Sequence, residues 1–449
     1  MKYNLAIIGG GPAGYTAASL AAANGLHVIL FEKYELGGVC LNEGCIPTKT
    51  LLYSAKLYDT LKECKKFGVQ VDNTSFDLKR IISRKKKIIR KLTLGIKAKL
   101  THENITIVNG EAALNSANTL LCQGEEYSFD KLLLCTGSET LIPPIKGLDE
   151  LQFWTHKEAL ETKSIPKSLA IIGGGVIGIE FASFFSSLGT EVTVIEMQED
   201  ILKGFDTDVI QALKETYSKK GVKFLCNTKV VEVCQEQEQI YTLQLKSILE
   251  GDKTLHTEQV LVSVGRKPSL KGLQVEKLNI ETNQAGGVQT NQFMQTSHSS
   301  IYACGDITGY SLLAHTAIRE AEVAIHHILE KPDKISYNAV PAVVYTNPEL
   351  ASVGITEEKA IQKKLPYTVI KKPMTYAGRF VAENEGDTGL CKLIINTNKE
   401  IIGVHLFGNP ASEIISLASI AVKEQYTIEE WKRVIFPHPT VSEIFKEIL

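Results

Sequence analysis

Leu5–Gly14 reads LAIIGGGPAG, and Leu169–Gly178 reads LAIIGGGVIG. Gly9, Gly11 and Gly14 recur as Gly173, Gly175 and Gly178, and Glu32 recurs as Glu196, at an offset of 164 residues each time. Each copy sets an apolar strand before the glycines and a helical stretch after them. A β-branched strand then ends on the acid: HVILFE (His27–Glu32) and VTVIE (Val192–Glu196). That is a βαβ unit written twice, so an α/β fold with two doubly wound dinucleotide-binding domains is expected. The glycines let backbone approach a pyrophosphate at a helix N-terminus, whose dipole favours the anion. Glu32 would accept a hydrogen bond from a ribose hydroxyl. Glu196 suits a free 2′-hydroxyl and repels a 2′-phosphate, and the following MQEDIL offers no arginine, so NAD rather than NADP is expected there.

Just behind the first unit lies GGVCLNEGCIPTK (Gly37–Lys49), with Cys40 and Cys45 five residues apart. A dithiol beside a nucleotide-binding unit points to electron flow between a bound cofactor and a disulfide. Five residues of regular helix rise about 7.5 Å, and a disulfide needs Cα atoms within roughly 7 Å. If the two pair, the backbone must bend, for which Gly44 and Pro47 are suited.

The 449 residues exceed one ordinary core, so two to four domains are expected. A net charge of −2 gives no overall pull toward nucleic acid or membrane surfaces. The N-terminus lacks the pattern of a signal peptide, and no apolar run is long enough for a membrane span. Most of the nine cysteines sit singly in apolar runs, such as Cys135 and Cys304, and read as small buried hydrophobes. An odd count without dense spacing argues for a reducing, cytoplasmic setting and for a catalytic rather than structural Cys40–Cys45 pair. No metal site is expected.

IPPIKGLDEL (Ile142–Leu151) reads as the linker between the units. Lys79–Leu100 is helical by pattern, apart from Lys85 in its apolar row, and holds ten Lys/Arg between Lys79 and Lys99. It reads as a solvated helix face or as a docking patch for an acidic partner. The last stretch alternates strand-like AVVYTN, TGLCKLIIN and IIGVHLFG with helix-like ASEIISLASIAVKEQ, an α+β C-terminal domain.

In this order the motifs resemble the pyridine nucleotide–disulfide oxidoreductases over essentially the whole chain and, within them, the dihydrolipoamide dehydrogenases. GGVCLNEGCIPTK matches the family's redox motif. LLLCTGS (Leu132–Ser138), with Thr136 and Gly137, resembles the strand closing its FAD domain. VLVSVGRKP (Val260–Pro268), with Gly265, resembles the end of its NAD domain. TSHSSIYACGD (Thr296–Asp306) resembles its second flavin motif. VVYTNPELASVG (Val343–Gly354) and FPHPTVSE (Phe436–Glu443) resemble its C-terminal interface domain.

The resemblance implies an FAD-binding domain over 1–145, an NAD-binding domain over 146–268, a central domain over 269–335 that completes the FAD site, and a dimerisation domain over 336–449. Gly9, Gly11, Gly14, Glu32, Lys49, Thr136, Gly137 and Asp306 would hold FAD. Gly173, Gly175, Gly178, Glu196 and Gly265 would hold NAD. Cys40 would exchange with substrate, and Cys45 would face the flavin. Lys49 would pair with Glu180 beside flavin N5. His438 would be the base for a dihydrolipoamide thiol, with Glu443 orienting it. Thr440–Glu443 is also T-x-x-E, a capping box, and the two uses of Glu443 are expected to compete. Since His438 would complete the site of the other subunit, a two-fold homodimer is implied. Phe436, Thr316 and Val39 depart from the family's usual residues and are expected to tune rates only.

The expected reaction is NAD-dependent oxidation of dihydrolipoamide on a lipoyl domain of a 2-oxoacid dehydrogenase, acetoin or glycine-cleavage complex. With a strand at the very start, no fused lipoyl domain is expected. The alternative is a related NAD(P)H-dependent disulfide reductase, although the arginine cluster of glutathione-type reductases and the C-terminal cysteine pairs of mercuric and thioredoxin reductases are missing. A binding subunit with weak catalysis and a diaphorase are further readings.

Overall fold

The computed structural model describes residues 2–237, 240–249 and 251–449. The chain divides into two compact units. The first joins Met1–Thr50, Ile82–Leu141 and Gly265–Ser336, and the second joins Leu51–Ile81, Ile142–Val264 and Tyr337–Leu449.

In the first unit the strands Ile105–Asn109, Val28–Glu32, Lys2–Ile8 and Glu125–Leu134 lie side by side in parallel, and Ile301–Ala303 pairs parallel to Glu125–Leu134. Leu5 and Ile7 are fully buried under helices on one face, and Ala6 is fully buried on the other, against Leu114 and Leu120 of a hairpin and against Leu273 and Ile280. The helix Pro12–Ala23 buries Ala13, Ala17, Ala18, Ala21 and Ala22. These small side chains let its axis approach the helix Ala314–Ile328, in a core shared with Leu5, Val28, Tyr302 and Ala321. An antiparallel hairpin, Ala112–Ser116 and Thr119–Cys122, extends the sheet.

In the second unit the βαβ pattern repeats. Lys223–Leu225, Glu191–Ile195, Ser168–Ile172 and Gln259–Val262 form a parallel sheet in that order, with the helix Val176–Ser187 following the glycines. Three antiparallel strands, Thr228–Gln237, Ile240–Ser247 and Gly251–Thr257, form a separate sheet that sequence reading did not resolve. The C-terminal part carries five antiparallel strands in the order Ala342–Val344, Leu350–Gly354, Ile401–Phe407, Leu390–Asn396 and Tyr367–Lys372. The helix Ala411–Lys423 packs into the same core with Trp431, Ile444 and Phe445. The expected α+β character is there, with two strands more than the apolar runs announced.

Two polar features stand out inside the second unit. Lys392 is 1% exposed and contacts Asp206 at 2.9 Å, Asp208 at 2.7 Å and Glu357 at 2.5 Å. The segment that follows Thr50 packs here as well: Ser187 Oγ donates to Asp59 at 2.7 Å, and Lys62 donates to the Ser187 carbonyl at 2.6 Å.

Candidate redox and cofactor-binding site

Between the two cysteines the helix breaks. One short helix covers Gly38–Asn42, and the next runs Cys45–Glu63, with Glu43 in a non-helical conformation between them. This is the bend that the spacing demanded. A Cβ on Gly44 would meet the Val39 carbonyl at 3.0 Å, and one on Gly38, at φ +61°, would meet Gly11 Cα at 2.8 Å. Glycine at 38 therefore lets the cysteine segment lie directly against the first glycine turn.

No disulfide joins Cys40 and Cys45 here, and Cys45 is a side-chain hydrogen-bond partner of Cys40. That bond, then burial, pushes the Cys40 pKa up, while Lys49 pulls it down. Tyr15 belongs to the same cluster. Burial, then the charges of Cys40 and Cys45, raise its pKa. The signal for Tyr15 was only its place one residue beyond Gly14, and sequence reading passed over it.

The glycines of the first turn serve different needs. A Cβ on Gly9, at φ +105°, would meet the Cys135 carbonyl at 2.2 Å, and one on Gly14 would meet the Gly9 carbonyl at 1.8 Å. Those two are required by the protein's own packing. Gly11 is not: its φ is an ordinary −74°, and its nearest neighbour would be Gly38 Cα at 3.8 Å. The open space there, at the N-terminus of a 12-residue helix, fits a bound pyrophosphate. Gly175 repeats this, with φ −74° and nothing within 4 Å, whereas a Cβ on Gly178 would meet the Gly173 carbonyl at 2.3 Å.

Glu32 accepts from the Gly10 N–H at 2.7 Å and the Tyr34 N–H at 2.8 Å. Glu196 accepts from the Gly174 N–H at 2.8 Å and the Gln198 N–H at 2.8 Å. Each acid thus ties its glycine turn to the end of the second strand, and each oxygen keeps a further lone pair for a ribose hydroxyl. Beyond Glu32 lies a cleft of about 330 Å³ lined by Tyr34, Leu36, Ile107 and Asn109.

Asp306 sits at the end of a relay. Arg266 donates from Nε to Ser138 Oγ at 2.7 Å, and Ser138 Oγ donates to Asp306 at 2.5 Å. Burial raises the Asp306 pKa against the opposing pull of Ser138 and Arg266. Ser138 ends LLLCTGS and Arg266 lies within VLVSVGRKP, and neither motif by itself shows their partnership. They meet because the strands Ser138–Thr140 and Arg266–Pro268 pair antiparallel. Thr136 donates to the Ser269 carbonyl at 2.7 Å, and Gly137 adopts φ +71°. Gly265 takes φ +130° and falls within the first unit. Lys49 lies in the first unit and the buried Glu180 in the second, where Glu180 accepts from the Tyr345 N–H at 3.0 Å.

At the C-terminus one expectation is corrected. Glu443 Oε1 lies 2.8 Å from His438 Nδ1, and its Oε2 accepts from the Thr440 N–H at 2.7 Å. Orienting the imidazole and capping the turn Val441–Glu443 do not compete, because each uses its own oxygen. The Thr440 N–H first, and His438 second, hold the Glu443 carboxyl below the usual range. Among the described residues no cluster of three or more His, Cys, Asp or Glu is arranged to hold a metal, and no helix is long and apolar enough to cross a membrane.

Two glycine turns on parallel sheets, a dithiol seated on the first, and an antiparallel C-terminal sheet define a flavoprotein disulfide oxidoreductase. The model of the pyridine nucleotide–disulphide oxidoreductases matches residues 3–321, and the model of their dimerisation domain matches residues 340–449. The chain belongs to this family, whose cofactors are FAD and NAD. It is 36% identical to a dihydrolipoyl dehydrogenase of Buchnera aphidicola over 99% of its own length and 94% of the relative's. It is equally 36% identical to the dihydrolipoyl dehydrogenase of Bacillus subtilis, over 99% and 97%. Among solved structures it is similar to the HOCl-induced flavoprotein disulfide reductase RclA from Escherichia coli, with a TM-score of 0.87, 28% identity and 99% of each chain covered.

Proposed function

We propose that this enzyme is a dihydrolipoyl dehydrogenase that oxidises protein-bound dihydrolipoamide and reduces NAD. The observation that carries the reading is the hydrogen-bonded Cys40–Cys45 pair resting on the first glycine turn through Gly38. In the oxidised enzyme these two would form a disulfide. His438, its Nδ1 held by Glu443, would take a proton from a substrate thiol at Nε2. The substrate thiolate would attack Cys40 Sγ and break the disulfide, releasing Cys45 as a thiolate. The second substrate thiol would then break the mixed disulfide, leaving oxidised lipoamide and a reduced Cys40. When bound, the flavin supplies the route by which that electron pair reaches NAD as hydride.

Gly9, Gly11, Gly14, Glu32, Thr136, Gly137 and Asp306 would hold FAD, and Gly173, Gly175, Gly178, Glu196 and Gly265 would hold NAD. Lys49 would pair with Glu180 and stabilise reducing charge beside the flavin. The four-domain division, and a homodimer in which His438 completes the partner's site, belong to the same reading. So do a lipoyl domain as carrier and a cytoplasmic setting.

The test is NADH formation from dihydrolipoamide and NAD by the purified yellow protein. Turnover with NAD and little with NADP supports the reading. No turnover with FAD bound sinks it. A disulfide reductase uses the same thiols in the reverse direction, and the resemblance to the E. coli reductase favours it as the second reading. It would show disulfide-dependent NADH consumption without appreciable dihydrolipoamide oxidation.

A further inference from the structure

The helix Leu78–Lys99 contains no acidic residue at all. Within the first unit it exposes Arg84, Lys86, Lys87, Arg90, Lys91 and Lys97, over a length of about 20 Å. Lys87 and Lys91 stand four apart, and Lys87 and Arg90 three apart, where like charges destabilise a helix. Nothing within the helix relieves this. Exposed Leu94, at 56%, sits among the cations, and Leu92, at 41%, borders the packed side of the helix.

The helix is tied to the redox centre at two points. Arg84 Nη1 donates to the Thr50 carbonyl at 3.2 Å, five residues beyond Cys45 on the same helix. At its other end Lys99 Nζ lies 5.9 Å from the ring centroid of Tyr15, whose hydroxyl feels the charges of both cysteines.

We infer that this basic helix is a docking surface for an acidic carrier protein that delivers the substrate dithiol to Cys40. The inference rests on the proposed function and names the partner's chemistry. Charge complementarity sets the sign of the partner, because an acidic surface would relieve the stacked cations. The exposed Leu94 favours a folded protein over a phosphate backbone, which has no apolar face to cover it.

The variant Lys87→Glu tests it. The new carboxylate would stand four residues before Lys91 and three before Arg90, the favourable order for a helical ion pair, so folding is preserved. With an acidic dihydrolipoyl-carrier domain at an ionic strength of about 0.01 M, where screening reaches about 30 Å, KM should rise about five- to tenfold. The rate with free dihydrolipoamide should not change, and the KM difference should vanish at about 1 M salt. An unchanged carrier KM overturns the inference. So does loss of binding to a single-stranded RNA oligonucleotide with carrier KM intact, which would make the helix a nucleic-acid surface. If neither free nor carrier-bound dihydrolipoamide is oxidised, it is the proposed function that fails.

Discussion

Glu443 Oε1 lies 2.8 Å from His438 Nδ1, while the other oxygen of the same carboxylate holds the Thr440 N–H at 2.7 Å. One side chain thus sets the direction of the imidazole and the geometry of the turn that carries it. An amide at 443 can keep the Thr440 N–H on its oxygen, but its NH2 can only donate to Nδ1, which puts the imidazole proton on Nε2, where the base has to be free.

Glu443→Gln should therefore lower kcat for dihydrolipoamide about tenfold to a hundredfold, as loss of an orienting partner does elsewhere. Reduction of an artificial acceptor by NADH, which does not use His438, should be unaffected. The pH dependence follows from the depressed pKa of Glu443. A carboxyl depressed in the folded state stabilises it above the unfolded value of about 4.3 and loses that contribution as pH falls through the folded value. The difference in thermal midpoint between wild type and variant should be constant from neutral pH down to about pH 5 and shrink below about pH 4. A difference that persists undiminished in acid would contradict the contact.

Cys45→Ala removes the largest cause of the raised Cys40 pKa and leaves the opposing pull of Lys49. Cys40 should then alkylate with iodoacetamide at least about tenfold faster near pH 8 than in the reduced wild type, because the thiolate is the nucleophile. Adding Lys49→Met should slow it again. Equal rates in all three proteins would mean that the hydrogen bond does not govern Cys40.

The two kinds of glycine in the first turn separate folding from cofactor binding. Gly11→Ala meets no protein atom closer than 3.8 Å and should change the stability of the FAD-free chain by no more than about 1 kcal/mol, while abolishing FAD retention. Gly14→Ala drives a methyl to 1.8 Å from the Gly9 carbonyl and should cost about 3 kcal/mol or more before any cofactor is added. Thermal unfolding of apoprotein, with flavin absorbance of the purified enzyme, distinguishes the two. Equal destabilisation would remove the case for a ligand at Gly11.

Lys392→Met should lower stability at neutral pH by about 3–5 kcal/mol, because it strands the fully buried Asp206 without its cation. Burial pulls the Lys392 pKa down, but its three carboxylate partners together raise it above the usual lysine value. A raised lysine contributes below its unfolded value of about 10.4 and loses that contribution only as pH rises through the folded value. Urea unfolding at pH 7 and pH 9 should give the same difference between wild type and variant. A neutral substitution would mean that water reaches Asp206.

Much of this protein is legible in its sequence. The repeated LAIIGGG, with an acid at the same distance each time, dictates parallel strands and a helix N-terminus, because only local chain geometry is involved. The need for a bend between Cys40 and Cys45 follows from helix rise alone, and the break at Glu43 meets it. Tertiary structure decided what depends on partners distant in sequence. Ser138 links Arg266 to Asp306 because two short strands pair across 128 residues. Lys85, a polar break in an apolar row, is buried at 1% exposure. The three-stranded sheet of the second unit was likewise invisible as an element, since its pairing joins Thr228–Gln237, Ile240–Ser247 and Gly251–Thr257 and its inner face, with Val230, Val233, Leu243 and Leu245, is buried only by the rest of that unit. Glu443 needed both kinds of information. Its spacing from Thr440 predicts the cap, but only the folded turn brings the second oxygen to His438 and leaves both contacts intact.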